Sequence, residues 1–229
     1  MLDFLRTFLE DYGFFLLEGV RDTMIMVLVT TVFAYLFGLP IGVIVTITQS
    51  HSLRPNKVLN GILGWVVNMG RSLPFAILLI ALRPLTQSLV GTFIGVKGII
   101  FPLVVATTPF VARLVESSLK EVDNGVIELA QSTGSTLFQI IWKVMIPESL
   151  PSLFTGIPIT LITLFGYSAM GGFVGSGGLG DIAIRYGYHR FDMNMMIATI
   201  ILLVILVQII QSLGNVFSRK LDKRIQKKT

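Results

Sequence analysis

The sequence predicts an all-α, polytopic membrane protein with five transmembrane helices, on three observations. Of its 229 residues, 53% are hydrophobic and only 14% are charged, against roughly 25% charged in an average soluble domain. Charge is absent from three long runs, residues 23–53, 149–180 and 193–218. Each exceeds the ~20 apolar residues that carry a helix across a bilayer, and soluble helices need a polar face that runs of this length do not offer. Five such spans leave only short loops, which excludes an ordinary soluble enzyme and a large extramembrane domain.

Residues 1–22 are mixed in charge, with Asp3, Arg6, Glu10, Asp11, Glu18, Arg21 and Asp22. A secretory signal begins basic and then turns apolar, so this segment is not one. Leu5, Phe8, Leu9, Tyr12 and Leu16 recur at helical spacing, which predicts an interfacial amphipathic helix leading into the first span. Span one covers 23–47, and 48–57 form a polar turn. Span two covers 58–82 and is interrupted by Arg71 and Pro74. Residues 83–97 read as a loop. Span three, 98–114, is the weakest, with Pro102, Pro109 and an Arg113 that can snorkel. A polar stretch follows over 115–147. Span four covers 150–173, a Gly-rich loop covers 174–192, and span five covers 193–217. The chain closes on a basic tail, 218–229.

An odd number of spans puts the termini on opposite sides. Arg54, Lys57, Arg113, Lys120, Lys143 and six tail cations fall on one side; Arg6, Arg21, Arg83, Lys97, Arg185 and Arg190 fall on the other. The positive-inside rule makes the first side cytoplasmic, so the N-terminus faces out and the C-terminus in. The formal net charge of +5 resides in that tail. It reads as a topology anchor against membrane lipid rather than as a nucleic-acid site.

The polar stretch reads as a helical hairpin on the cytoplasmic side. Asp123 or Asn124 can cap a helix starting near Val126. Gly134 suits a left-handed turn. Thr136 and Gln139 form a capping box for a second helix, which carries Leu137, Phe138, Ile140, Ile141, Val144 and Met145 and ends at Pro147. A compact module of this kind can dock into a groove on a soluble partner.

The residues Glu128-Leu129-Ala130, Gly134 and Val144-Met145-Ile146-Pro147 resemble the EAA loop of ABC-importer permeases. The spacing is intact over twenty residues and the place in the chain is the expected one. Leu129 stands where the family pattern has Ala, Val144 where it has Ile, and Ile146 where it has Leu. The run from Gly172 to Phe191, GFVGSGGLGDIAIRYGYHRF, and the run Arg71-Ser-Leu-Pro-Phe75 are similar to the methionine-import branch of that family.

The resemblance implies the transmembrane subunit of an importer in the bacterial cytoplasmic (inner) membrane, translocating methionine, with D-methionine a further candidate and another small amino acid or osmolyte the alternative. It implies a homodimer, two cytoplasmic ABC ATPase subunits that carry ATP and Mg, an extracytoplasmic substrate-binding (lipo)protein, and no cofactor on this chain. It assigns Glu128, Leu129, Ala130, Gly134 and Pro147 to ATPase coupling. The spans would then alternate between inward-open and outward-open packings.

Arg71 and Pro74 are candidate pathway residues. Arg71 lies about 20 Å into its span at 1.5 Å per residue, where an unpaired charge is costly. It could meet a substrate carboxylate, or bond to another span or to carbonyls that Pro74 releases. Gly175, Gly177, Gly178 and Gly180 satisfy G-x-G-x-x-G, but the motif follows a membrane span and lacks the later acidic residue of a dinucleotide site. A flexible outer loop or gate fits better. With no cysteine, and with His51 and His189 isolated, there is no metal set and no Cys or Ser catalytic constellation. No Walker A pattern occurs. The methionines, Met69 and Met170 among them, read as packing residues. Gly38 and Gly42 form a GxxxG that Pro40 makes a kink or an interface, and Gly61 and Gly64 suit close helix approach. An intramembrane enzyme using Arg71, Asp181 or His189, and a scaffold recruiting a cytoplasmic partner, are the readings from other classes.

Overall fold

The computed structural model describes residues 2–221, with side chains over 12–214 and at 216. The described residues are helical, without strands. Helix α1 (Leu2–Ile47) is followed by α2 (Lys57–Ser72), α3 (Phe75–Ala81), α4 (Arg83–Val90), α5 (Gly95–Lys120) and α6 (Asn124–Ser132). A short α7 (Leu137–Ile140) passes through a π-helical turn (Ile141–Met145) into α8 (Ile146–Gly171). A 3-10 turn (Gly172–Val174), α9 (Gly178–Ile182) and a second π-helical stretch (Ala183–Tyr188) lead to α10 (Met193–Leu221).

Among the described residues, four helical stretches are long and apolar enough to cross a membrane: Tyr12–Ile47, Gly95–Lys120, Leu137–Val174 and Met193–Gly214. They become five when α2 and α3, a bent pair, count as one span. The break between them is local chemistry. Pro74 has no N–H to donate and forces Leu73 out of the helical region, and Leu73 sits at ψ 124°.

The structure corrects three boundaries. Residues 83–90, read as loop, fold as α4, with a proline in its first turn where the missing N–H costs nothing. Span three extends beyond 98–114 to Lys120, through Pro102, Pro109 and Arg113. Pro147 does not end the hairpin's second helix. The Ile146 N–H bonds five residues back to Ile141, and this π register widens the helix just where the Pro147 ring would clash with the Lys143 carbonyl. Of the expected interfacial segment 1–22, the side chains of 1–11 lie outside the described residues, as do those of the whole basic tail, 218–229.

The chain divides into two compact units. The first comprises Met1–Thr31, Pro74–Val104 and Leu161–Ile209. Within it, Leu16, Ile182 and Met195 form a buried apolar cluster joined by Phe15 and Tyr186, whose rings meet edge-on at 5.0 Å. The second comprises Val32–Leu73, Val105–Thr160 and Ile210–Thr229. Its core joins Ala34, Val43 and Ile47 of α1 to Val111, Val115 and Leu119 of α5 and to Ile140, Ile141 and Met145. Gly38 and Gly42 make this contact possible: a Cβ on Gly42 would lie 2.6 Å from the Ala112 carbonyl oxygen, and one on Gly38 2.8 Å from Val111. The GxxxG is thus a packing site, and α1 runs on through Pro40. Gly61 and Gly64 differ, since a Cβ on either meets nothing within 4 Å.

Candidate functional site

The hairpin is built from its caps. The Asp123 carboxylate accepts the Gly125 N–H at 2.8 Å and starts α6 two residues earlier than the sequence reading placed it. At the other end Thr133 N–H bonds to the Leu129 carbonyl and Ser135 N–H to that of Ala130. Between them Gly134 sits at φ +76°, a conformation L side chains resist. The Gln139 N–H then donates to Thr136 Oγ1, and Gln139 Oε1 accepts the Thr136 N–H at 2.9 Å. This reciprocal capping box satisfies donors that a helix start otherwise leaves open.

The hairpin has two faces. Ile127, Ala130, Leu137, Ile140, Ile141 and Met145 belong to the core of the second unit. Glu128, Gly134 and Pro147 are exposed, and Leu129 is 66% exposed. Of the five predicted coupling residues, four are therefore outward and Ala130 faces the core. Sequence reasoning missed the aromatic part of the outer face. Phe138 is 69% and Trp142 52% exposed, with ring centroids 5.9 Å apart. In sequence, Phe138 falls among the apolar residues of its helix. The i,i+4 spacing of the two aromatics was the available signal.

Phe138 and Trp142 stand at the start of the helical stretch Leu137–Val174, which is long and apolar enough to cross a membrane, 11 and seven positions before the charge-free run that begins at Ser149.

Arg71 lies in the last turn of α2 and is exposed. Its side chain makes no hydrogen bond or ion pair among the described residues.

The Gly-rich segment is not the flexible loop its composition suggests. Gly178, Leu179, Gly180, Asp181 and Ile182 are all buried. Leu179 N–H donates to Thr23 Oγ1 at 2.9 Å, and Gly95 N–H donates to the Gly175 carbonyl at 2.9 Å. A Cβ on Gly180 would stand 2.4 Å from the Ala169 Cα, and one on Gly178 2.7 Å from Met26 and Thr23. Gly175 and Gly177 are half-buried, in left-handed conformations. Asp181 is ion-paired with Arg185, and the exposed His189 ring meets Tyr188 edge-on. Among the described residues no group of three or more His, Cys, Asp or Glu could hold a metal ion.

The family described as the binding-protein-dependent transport system inner membrane component matches residues 38–227. The probable D-methionine transport system permease protein MetI of Vibrio cholerae is 50% identical over 209 residues, covering 91% of this chain and 93% of the relative. The methionine import system permease protein MetP of Bacillus subtilis is 44% identical over 178 residues, 78% of this chain and 80% of the relative. Among solved structures, the MetNI methionine ABC transporter in inward-facing conformations aligns with a TM-score of 0.92 and 43% identity, over 93% of this chain and 99% of the compared chain. The match over most of the chain and the 50% identity settle one point: this chain belongs to the binding-protein-dependent transport system inner membrane component family.

Proposed function

We propose that this chain is the permease subunit of an ATP-driven methionine importer, accepting the L- and D-forms, with ATP hydrolysed on a separate subunit. One observation carries the reading. Relatives at 40–50% identity over about nine-tenths of the chain are named for D-methionine transport.

The N-terminus faces out and the hairpin faces the cytoplasm, in keeping with the distribution of Lys and Arg. Two copies associate. Support comes from α2, whose Ile62, Trp65 and Met69 are more than a third exposed beside the open Gly61 and Gly64. Two cytoplasmic ATPase subunits each receive one hairpin. Glu128 offers a carboxylate to a basic partner group, and Leu129, Phe138 and Trp142 offer apolar contact. The capped, core-seated hairpin suits a part that moves as a rigid body when ATP draws the ATPases together. A binding protein delivers substrate from outside. Arg71 supplies an unengaged guanidinium suited to an amino-acid carboxylate.

The test is uptake of labelled L-methionine by liposomes holding the assembled transporter, with unlabelled D-methionine as competitor. ATP-dependent uptake that D-methionine suppresses is expected. ATP hydrolysis without methionine accumulation would reject the substrate, and binding of a partner with no flux would leave a scaffold. Arg71→Ala should lower uptake about tenfold or more, as expected for losing a charged contact of 1.5–3 kcal/mol. Normal uptake at normal expression would remove Arg71 from the pathway.

A further inference from the structure

Glu116 lies in the last turns of α5, shortly before the hairpin begins, and its side chain is only 3% exposed. Three donors reach its carboxylate. Lys120 Nζ is 2.8 Å and Gln49 Nε2 is 2.7 Å from Oε1, and the Arg113 guanidinium holds Oε2. These donors do different jobs. Arg113 and Lys120 belong to α5 itself, three residues before and four after, so they compensate the buried charge without joining elements. Gln49 is 67 residues away, in the turn that follows α1. Its amide turns a locally neutralised carboxylate into a tie between the end of α1 and the end of α5.

The tie stands at the base of the hairpin. Beside it runs a polar groove of about 320 Å³, lined by Gln49, His51, Lys120, Glu128 and Gln131 among others. The groove parts the polar side chains of the turn after α1 from those of α6, above a core against which Leu53 and Ile127 both pack. The apolar core beneath resists separation but is non-directional. A hydrogen bond to a charged, buried acceptor is both stronger and directional.

We propose that Gln49 and Glu116 are positioning residues that fix the ends of α1 and α5 to each other, so that displacement of the hairpin reaches both helices as one movement. The inference rests on the transporter reading above. Gln49→Ala cuts the tie and leaves Glu116 compensated by two cations of its own helix, so the fold is retained. Uptake and ATP hydrolysis are measured together in liposomes holding the assembled transporter. For Gln49→Ala, methionine moved per ATP should fall by at least about fivefold, the lower end of a typical coupling energy, while hydrolysis is maintained. Gln49→Lys, which restores a donor to the carboxylate, should recover much of the loss. An unchanged ratio, a parallel fall of uptake and hydrolysis, or no rescue by the lysine overturns the proposal. Absence of ATP-dependent uptake in the unaltered transporter is distinguishable from all three: it overturns the transporter reading and this inference with it.

Discussion

Two segments join spans in this chain, and both carry glycines at left-handed φ, yet they use them for opposite purposes. In the hairpin, Gly134 has open space around it and serves only the turn. In the segment after α8, Gly178, at φ +78°, is pressed against Thr23 and Met26, and the helical Gly180 against Ala169; both serve close packing. The hairpin is half surface, with an apolar inner face and an outer face of Glu128, Leu129, Phe138 and Trp142. The Gly-rich segment is mostly interior. Glycine content alone does not separate a turn from a tight seam; the atoms around the missing Cβ do.

The largest expected effect breaks this contrast from the packed side. Gly180→Val places a branched side chain against backbone, which cannot swing aside as a side chain can. Overpacking of this kind costs about 3 kcal/mol, and a marked loss of monodisperse protein with a lowered unfolding midpoint should follow. Wild-type stability would mean that the segment is looser than its burial indicates.

Gly134→Val is next. No atom opposes the new Cβ, so the cost is conformational only, about 1–2 kcal/mol for an L residue in the left-handed region. A measurable but smaller shift in the same unfolding midpoint is expected. A loss as large as that of Gly180→Val would erase the distinction between turn and seam.

The smallest effect on stability is the sharpest functional one. Leu129→Ala and Phe138→Ala change exposed side chains and should alter stability by no more than about 0.5 kcal/mol. Both should weaken association with the ATPase subunit, read as a lower fraction of co-purified ATPase. Unchanged co-purification would show that the outer face is not where the partner binds.

Much of this organisation was legible in the sequence, for local reasons. The charge-free runs located the spans because hydrocarbon admits few charges. Pro74 located the break because it lacks an N–H. Thr136, Gln139 and Gly134 located the turn because capping and left-handed φ are set within four residues. What stayed hidden depends on distant parts of the chain. Nothing near Gly180 reveals that Ala169 lies against it. Nothing near Glu116 reveals Gln49. Phe138 and Ile140 are both apolar, and only the assembled core distinguishes the exposed one from the buried one. The run through Pro147 escaped because the π turn that accommodates it has no sequence signal comparable to a cap.

The central claim, that the outer face of the hairpin seats in the ATPase, has a direct test, because the chain has no cysteine. Single substitutions Leu129→Cys and Ala130→Cys place one thiol on the outer face and one on the inner. Each is treated with a short thiol-to-amine cross-linker in the assembled transporter. The account predicts efficient cross-linking to the ATPase subunit from position 129 and little from position 130. Equal yields from both, or a product from position 130 alone, would contradict it.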